Sequence, residues 1–202
     1  MFAVSRLQKV AGSHRPGRWL SSMLEVSPAS SLLDCQVSLA ASGLEPGSLV
    51  RLEARLEDPS QSWSFQSVSQ FQTDERGEFS TASQSPLSPS DYSGVHRSGP
   101  LWSLQPGPGS KARLWPEDIR KTLQYQFSLS QADSGQVLAT ATAEKTFLAA
   151  GVRRLEVREG PLRGVLFLPP SPGPAVITIY GGVNKGKVPE DRSSSFVVFP
   201  FS

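Results

Sequence analysis

Short runs in which apolar and polar residues alternate dominate the chain between residues 24 and 147. The clearest run covers residues 50–56, where Val, Leu, Ala and Leu alternate with Arg and Glu. A period of two places every second side chain on the same face of a strand, so this run predicts a half-buried β-strand. The same alternation predicts strands over residues 37–41, 123–129 and 137–141, with turn residues between the runs.

The segment 63–79 departs once from this alternation. Its apolar positions change phase by one residue, which predicts a strand with a β-bulge; these positions are Trp63, Phe65, Val68 and Phe71. A turn is predicted at residues 74–77, because Asp and Gly favour turn conformations, and Phe79 then begins another short strand.

Residues 81–109 are rich in Ser and Pro and show no clear period, so they predict a long connection. Within it, the sequence around His96 and Gly99 predicts a turn that inserts Trp102 into the core. The predicted aromatic core of the domain comprises Trp63, Phe65, Phe71, Trp102, Tyr125 and Phe127.

The pattern changes after Gly151. Residues 152–158 and 164–168 predict a hairpin around Gly160, and a proline-rich segment then leads into the continuously apolar residues 175–180. A continuous apolar run is typical of a strand buried on both faces of a parallel sheet. Because about 22 residues follow it, we expect residues 151–202 to be a truncated α/β domain.

Composition favours a mainly β chain. The 202 residues include 32 Ser, 17 Gly and 17 Pro, a turn-rich composition that excludes a helical bundle. Together with the strand spacing, it predicts an antiparallel sandwich of about seven strands and of immunoglobulin-like size over residues 24–150.

Charge and residue counts exclude several classes of function. The formal net charge of +2 does not favour nucleic-acid binding, and no window is apolar enough for a membrane span. One cysteine, Cys35, cannot form an internal disulfide or a cysteine-rich zinc site. The sequence shows no metal-ligand spacing and no phosphate-cradling loop, so we expect no metal and no bound cofactor.

Residues 1–22 form a distinct leader. They contain four cations and no acidic residue; the cations are Arg6, Lys9, Arg15 and Arg18. A basic, serine-containing and acid-poor N-terminus predicts a mitochondrial transit peptide. A tail with an accidental charge bias, or a translation start at Met23, is the alternative, and the location would then be cytosolic or peroxisomal.

Two motifs carry a family resemblance. The segment GVRRLEVREGPLRGVLFLPP, residues 151–170, resembles the domain junction of acyl-CoA thioesterases and bile acid-CoA:amino acid N-acyltransferases. The segment GVHRSGPLWSLQP, residues 94–106, is similar to a Gly-Val-His segment with a following Leu-Trp-Ser-Leu in that family. The likeness extends from about residue 24 to residue 192.

The resemblance implies an immunoglobulin-like domain followed by an α/β-hydrolase domain, with acyl-CoA as the substrate of the complete enzyme. Hydrolysis to free fatty acid and CoA is the first hypothesis. Acyl transfer from CoA to glycine or taurine is an alternative, as is a non-catalytic binding or interaction module. No Gly-x-Ser-x-Gly or Gly-x-Cys-x-Gly motif occurs, so the family's catalytic triad is missing and the chain alone is predicted to be inactive.

We assign no catalytic residue from the sequence. Cys35 lacks the glycine-flanked turn that exposes a nucleophile, and His96, with Asp91 and Tyr92 nearby, is expected to bond a turn carbonyl or to pack at an interface. By resemblance, Gly181 and Gly182 correspond to the loop that contributes a backbone N–H to the oxyanion hole. An ordinary strand-ending turn is the alternative for these two glycines.

Overall fold

The computed structural model describes residues 22–58, 63–110, 118–160, 162–171 and 173. These residues are mainly β, as predicted. The only described helix is four residues long, and none is long and apolar enough to cross a membrane. The elements in chain order are β1 (Met23–Ser27), β2 (Ser30–Leu32), β3 (Ser38–Ser42), β4 (Leu49–Asp58), β5 (Trp63–Gln72), β6 (Phe79–Ser80), α1 (Gly99–Trp102), β7 (Gln105–Pro106), β8 (Leu123–Gln131), β9 (Val137–Thr146), β10 (Arg153–Glu159) and β11 (Leu162–Leu168).

The described strands form three sheets. One has three antiparallel strands in the order β1-β3-β6, and one has six strands in the order β2-β9-β8-β4-β5-β7. In the six-stranded sheet only the short strand β2 runs parallel to its neighbour, β9. Strands β10 and β11 pair with each other as an antiparallel hairpin, which confirms the hairpin predicted around Gly160.

The three-stranded and six-stranded sheets contribute their buried faces to one hydrophobic cluster. In β4, every second residue is buried and the charged residues between them are on the outer face. The alternation in β3 and β8 gives the same result, so these predicted strands are confirmed. The least exposed members of the cluster are Val37, Leu39, Val50, Leu52, Ala54, Phe71, Phe127, Leu129 and Ala143.

The bulge predicted in β5 is wrong. Strand β5 pairs with β4 without interruption, from Leu49 opposite Gln72 to Asp58 opposite Trp63. Ser67 and Ser69 occupy the inward positions between Phe65 and Phe71, while Val68 is on the other face. The buried Ser67 hydroxyl donates a hydrogen bond to the Pro100 carbonyl at 2.5 Å, so a polar residue takes a core position without an unpaired donor.

The prediction that Trp102 enters the core is also wrong, because Trp102 is 58% exposed. The buried aromatic residue of the long connection is Tyr92, which is 7% exposed. Gly99 packs so closely on the Tyr92 ring that a Cβ atom there would lie 2.3 Å from it. Of the other predicted core residues, Phe65, Phe71, Tyr125 and Phe127 are buried, whereas the side chain of Trp63 lies outside the described part of the structure.

Candidate functional site

The loop that carries His96 runs along the edge of strand β5. The amide of Leu87 donates to the Gln70 carbonyl, and that of Asp91 donates to the Val68 carbonyl. In the opposite direction, the Val68 amide donates to Asp91 Oδ2 at 2.6 Å, and the Gln70 amide donates to the Ser90 hydroxyl at 2.9 Å. These bonds occupy backbone groups that an edge strand would otherwise expose. Asp91 is therefore committed to holding the loop.

His96 is exposed and lies in an aromatic cluster rather than beside a carboxylate. Its ring centroid is 5.3 Å from that of Trp102 and 6.5 Å from that of Tyr92, both in edge geometry. The Tyr92 and Trp102 rings are 5.8 Å apart. Among the described residues no carboxylate forms a hydrogen bond or an ion pair with the His96 ring, so none orients it as a general base. The expectation that His96 bonds a turn carbonyl finds no support in the described contacts.

Tyr92 is held in its neutral form. Burial raises the pKa of Tyr92 to about 12, and the nearby Ser69 hydroxyl lowers that pKa by a smaller amount. Within the described residues the Tyr92 hydroxyl nevertheless makes no hydrogen bond of good geometry. A phenol of this kind is a poor proton donor or acceptor near neutral pH.

Cys35 is exposed in the turn between β2 and β3. Two residues later, the Val37 amide donates to Ser98 Oγ at 2.8 Å, and that hydroxyl donates back to the Val37 carbonyl at 3.1 Å. These bonds fix the His96 loop to the segment that follows Cys35. They join backbone and Ser98, however, and no described contact connects the Cys35 thiol with the His96 ring. The arrangement is structural and does not form a nucleophile–base pair.

Lys145 in β9 is a buried charged residue that the sequence did not predict, and it is 1% exposed. Its ammonium group donates to Ser31 Oγ at 2.8 Å, to the Leu32 carbonyl at 3.1 Å and to the Cys35 carbonyl at 2.5 Å. Burial lowers the pKa of Lys145, and Cys35 and Asp34 partly restore it. If the alternation predicted for residues 137–141 is extended along β9, residue 145 falls on the inner face.

Among the described residues, no three His, Cys, Asp or Glu side chains come close enough together to bind a metal ion. Gly181 and Gly182 lie outside the described residues, as do the apolar segment 175–180 and residues 1–21. The described residues form a β scaffold on which the exposed His96 and Trp102 rings lie beside the buried Tyr92 ring.

Comparison with known proteins identifies the scaffold. Residues 34–159 match the family model described as the acyl-CoA thioester hydrolase/BAAT N-terminal region. The chain is 36% identical over 180 residues to the bile acid-CoA:amino acid N-acyltransferase of Homo sapiens, covering 85% of this chain and 42% of that protein. It is 34% identical over 185 residues to acyl-coenzyme A thioesterase 6 of Mus musculus, covering 87% of this chain and 42% of that protein.

The mitochondrial acyl-coenzyme A thioesterase 2 of Mus musculus is 36% identical over 168 residues, covering 78% of this chain and 36% of that protein. Among solved structures, macromomycin gives a TM-score of 0.33 at 17% identity and covers 63% of this chain and 99% of that chain. The chain thus spans about two fifths of the length of its curated relatives. It belongs to the family of acyl-CoA thioester hydrolases and bile acid-CoA:amino acid N-acyltransferases.

Proposed function

We propose that residues 24–150 are the immunoglobulin-like, non-catalytic N-terminal domain of an acyl-CoA thioester hydrolase. The observation that carries this proposal is the absence of a nucleophile–base pair among the described residues of a segment that matches an N-terminal region. Its one cysteine, Cys35, is exposed in a turn, and its one described histidine packs on aromatic rings. The domain then acts by supporting a catalytic domain and not by reacting with acyl-CoA itself.

The catalytic domain that this proposal requires is an α/β-hydrolase, and residues 151–202 are proposed to supply its first strands. Gly181 and Gly182 would then stand in the loop that donates a backbone N–H to the thioester oxygen in the transition state. The hairpin of β10 and β11 supports a change of architecture at this point, because its strands pair only with each other among the described residues.

Acyl transfer to an amino acid is the second candidate reaction. The human bile acid-CoA:amino acid N-acyltransferase is as similar to this chain as the mouse mitochondrial thioesterase, at 36% identity each. Because both kinds of enzyme share this N-terminal region, we propose that the catalytic domain determines whether water or an amino acid accepts the acyl group. An interaction module without enzymatic activity is the third candidate.

Mitochondrial location is proposed for the product that begins at Met1. Its support is the basic, acid-free leader and the mitochondrial location in the name of one relative. Fusion of residues 1–22 to a fluorescent protein tests this proposal. We expect mitochondrial import that is lost when the four cations are replaced by Gln, whereas a diffuse cytosolic or a peroxisomal signal would contradict it.

A pair of chimeras tests the proposed role. Residues 24–159 of this chain replace the matching region in mouse acyl-coenzyme A thioesterase 2 and, separately, in human bile acid-CoA:amino acid N-acyltransferase. We expect each chimera to keep its parent's reaction: release of CoA and free acid in the first, amino acid conjugation in the second. A folded chimera whose reaction changes to that of the other parent would show that this domain chooses the acceptor and would overturn the proposal.

A further inference from the structure

The connection between β6 and β8 covers the edge of strand β5 that faces away from β4, and we call its residues 81–110 the strap. Strand β7, which is part of the strap, pairs with β5 at Gln66. Near the start of β5, the Ser64 amide donates to Ser110 Oγ at 2.7 Å. The even-numbered residues of β5 direct their backbone groups to this edge, and each of them bonds to the strap; they are Ser64, Gln66, Val68, Gln70 and Gln72.

Side chains of the strap take part in this cover. The β5 amides of residues 64, 68 and 70 donate to side-chain oxygens, which belong to Ser110, Asp91 and Ser90. A neighbouring strand would instead offer backbone carbonyls to these amides. Substitution can remove a side-chain acceptor and leave the backbone of the sheet unchanged. The strap is therefore a removable cover over the edge of a ten-residue strand.

Strand β5 has none of the usual features that prevent an edge from pairing with another chain. Its residues 63–72 include no charged residue, no Pro and no Gly, whereas the outer face of β4 alternates Arg and Glu. It also pairs with β4 without a bulge. Charges, prolines and bulges are the features that protect edge strands, and short uncharged β-prone segments are those that associate with their own kind. Among the described residues, the strap supplies the protection of this edge.

The sequence of β5 is complementary to a second copy of itself. Residues 65–71 are Phe-Gln-Ser-Val-Ser-Gln-Phe, which reads the same in both directions about Val68. Two antiparallel β5 strands related by a two-fold axis at Val68 place Phe65 opposite Phe71 and Gln66 opposite Gln70. This register sets even-numbered residues opposite even-numbered residues, so the backbone groups at the two edges meet as hydrogen-bonded pairs. The two phenylalanines stay on the core side and the glutamines on the outer side.

We propose that the edge of β5 is a pairing site for β5 of a second copy of this chain, and that the strap keeps this site closed. The pair is isologous and joins the two six-stranded sheets into one continuous sheet. Each β5 exchanges its bonds to the strap for bonds to the partner strand, so its backbone groups are paired in both states. The chain is a monomer while the strap is in place and a dimer when the strap is released.

Release of the strap in the full chain tests the proposal. The variant Ser90→Ala/Asp91→Ala removes two of the side-chain acceptors, and we expect it to dimerise at a chain concentration at which the unmodified chain is monomeric. The control is Asp133→Ala/Ser134→Ala, which removes the same two residue types from the turn between β8 and β9, where they also accept backbone amides. The control should stay monomeric. Native mass spectrometry measures all three proteins.

Deuterium exchange shows whether the strap is released. In dilute solution, where dimers do not form, we expect the amides of Val68 and Gln70 to exchange about tenfold faster in Ser90→Ala/Asp91→Ala than in the unmodified chain. The single substitution Asp91→Ala keeps the Ser90 acceptor, so it opens the strap less and should give fewer dimers. Unchanged exchange in the double variant would show that these side chains do not hold the strap and would overturn the proposal. Fast exchange in a chain that stays monomeric would also overturn it.

Charge pairing at the two-fold axis tests the register. Val68 is half-buried on the outer face, so Lys or Glu at this position can reach water in a single chain. In the Ser90→Ala/Asp91→Ala background, we expect Val68→Lys and Val68→Glu each to lower the dimer association constant about fivefold, because two like charges would lie opposite each other. An equimolar mixture of the two should restore dimerisation as a heterodimer, which its mass identifies. Equal dimerisation of Val68→Lys, Val68→Glu and their mixture would place the contact elsewhere and overturn the proposal.

Discussion

The ammonium nitrogen of Lys145 lies 2.5 Å from the carbonyl oxygen of Cys35, a residue 110 positions earlier in the chain. Together with Ser31 and the Leu32 carbonyl, this contact gives each of the three ammonium protons an acceptor. Lys145 therefore holds the short parallel strand β2 and the turn after it against β9. A charged side chain at an inward position is tolerated because its hydrogen bonds are complete.

Replacing Lys145 should destabilise the domain. In Lys145→Met the apolar stem is kept, but two carbonyls and a hydroxyl lose their donor, so we expect the free energy of unfolding to fall by about 2–4 kcal/mol. Lys121→Met, at an exposed position, is the control and should change it by less than about 0.5 kcal/mol. Urea unfolding followed by circular dichroism measures both. Equal midpoints for the two variants would show that the Lys145 contacts do not stabilise the fold.

Tyr92 should make stability fall at high pH. Its pKa is 10.0 in the unfolded chain and about 12 in the fold, so the folded state holds the phenolic proton more tightly. The stabilisation is complete below pH 10 and is lost as the pH rises from about 10 to 12. The shift corresponds to at most about 3 kcal/mol.

Comparison of the wild-type chain with Tyr92→Phe isolates this effect, because Lys145 and Tyr125 also have shifted pKa values and are present in both proteins. We expect Tyr92→Phe to be as stable as the wild type or slightly more stable at pH 7, since the hydroxyl lacks a good hydrogen bond. Its advantage should grow between pH 10 and 12 in urea titrations. A difference between the two proteins that is independent of pH would refute the assignment.

Gly77 should tolerate no side chain. Its φ is +75°, and a Cβ atom would lie 2.0 Å from the backbone oxygen of Leu44, so the turn and its neighbour would have to move apart. Gly47 has a similar φ of +70° but open space around it. We expect Gly47→Ala to cost about 1–2 kcal/mol for the left-handed conformation alone. Gly77→Ala should cost clearly more, and calorimetric melting that ranks the two variants the other way would contradict the packing at this turn.

Trp102 and Phe127 should differ sharply in their contribution to stability. Phe127 is 1% exposed, and Phe127→Ala should cost about 3–5 kcal/mol because it leaves a cavity in the core. Trp102 is mostly exposed and contacts only the Tyr92 and His96 rings among its aromatic neighbours, so Trp102→Ala should cost about 1 kcal/mol or less. Guanidinium midpoints measure both losses. A loss for Trp102→Ala as large as that for Phe127→Ala would place Trp102 in the core after all.

The main strands could be predicted from the sequence where inward positions are apolar, as in β4 and β8. In β5 the strand itself was predicted, but its bulge was wrong, because the serines Ser67 and Ser69 take the inward positions that a hydropathy pattern assigns to apolar residues. Hydrogen bonding to Pro100, in a distant loop, makes the position of Ser67 possible, and no local pattern contains that information. The same limit explains Lys145, whose acceptors are more than a hundred residues away.

The aromatic cluster shows why the candidate site was harder to predict than the strands. Tyr92 and Trp102 both belong to the unpatterned segment 81–109, and both are large enough to fill a core position. Gly99 packs closely against the Tyr92 ring, and Tyr92 is the buried residue of the two. This is a tertiary contact, and no periodic pattern in the sequence predicts it. The family resemblance rested on a long local motif and was confirmed.

Acyl-CoA turnover by the purified 202-residue chain tests the central claim most directly. The assay follows release of free CoA from a long-chain acyl-CoA and from a bile acid-CoA with glycine or taurine present. A catalytically competent relative, mouse acyl-coenzyme A thioesterase 2, serves as the positive control. We expect CoA release equal to the uncatalysed background, because the described residues provide no nucleophile with a positioned base. Turnover well above background that disappears in Cys35→Ala or His96→Ala would contradict the account, since this chain would then carry its own active site.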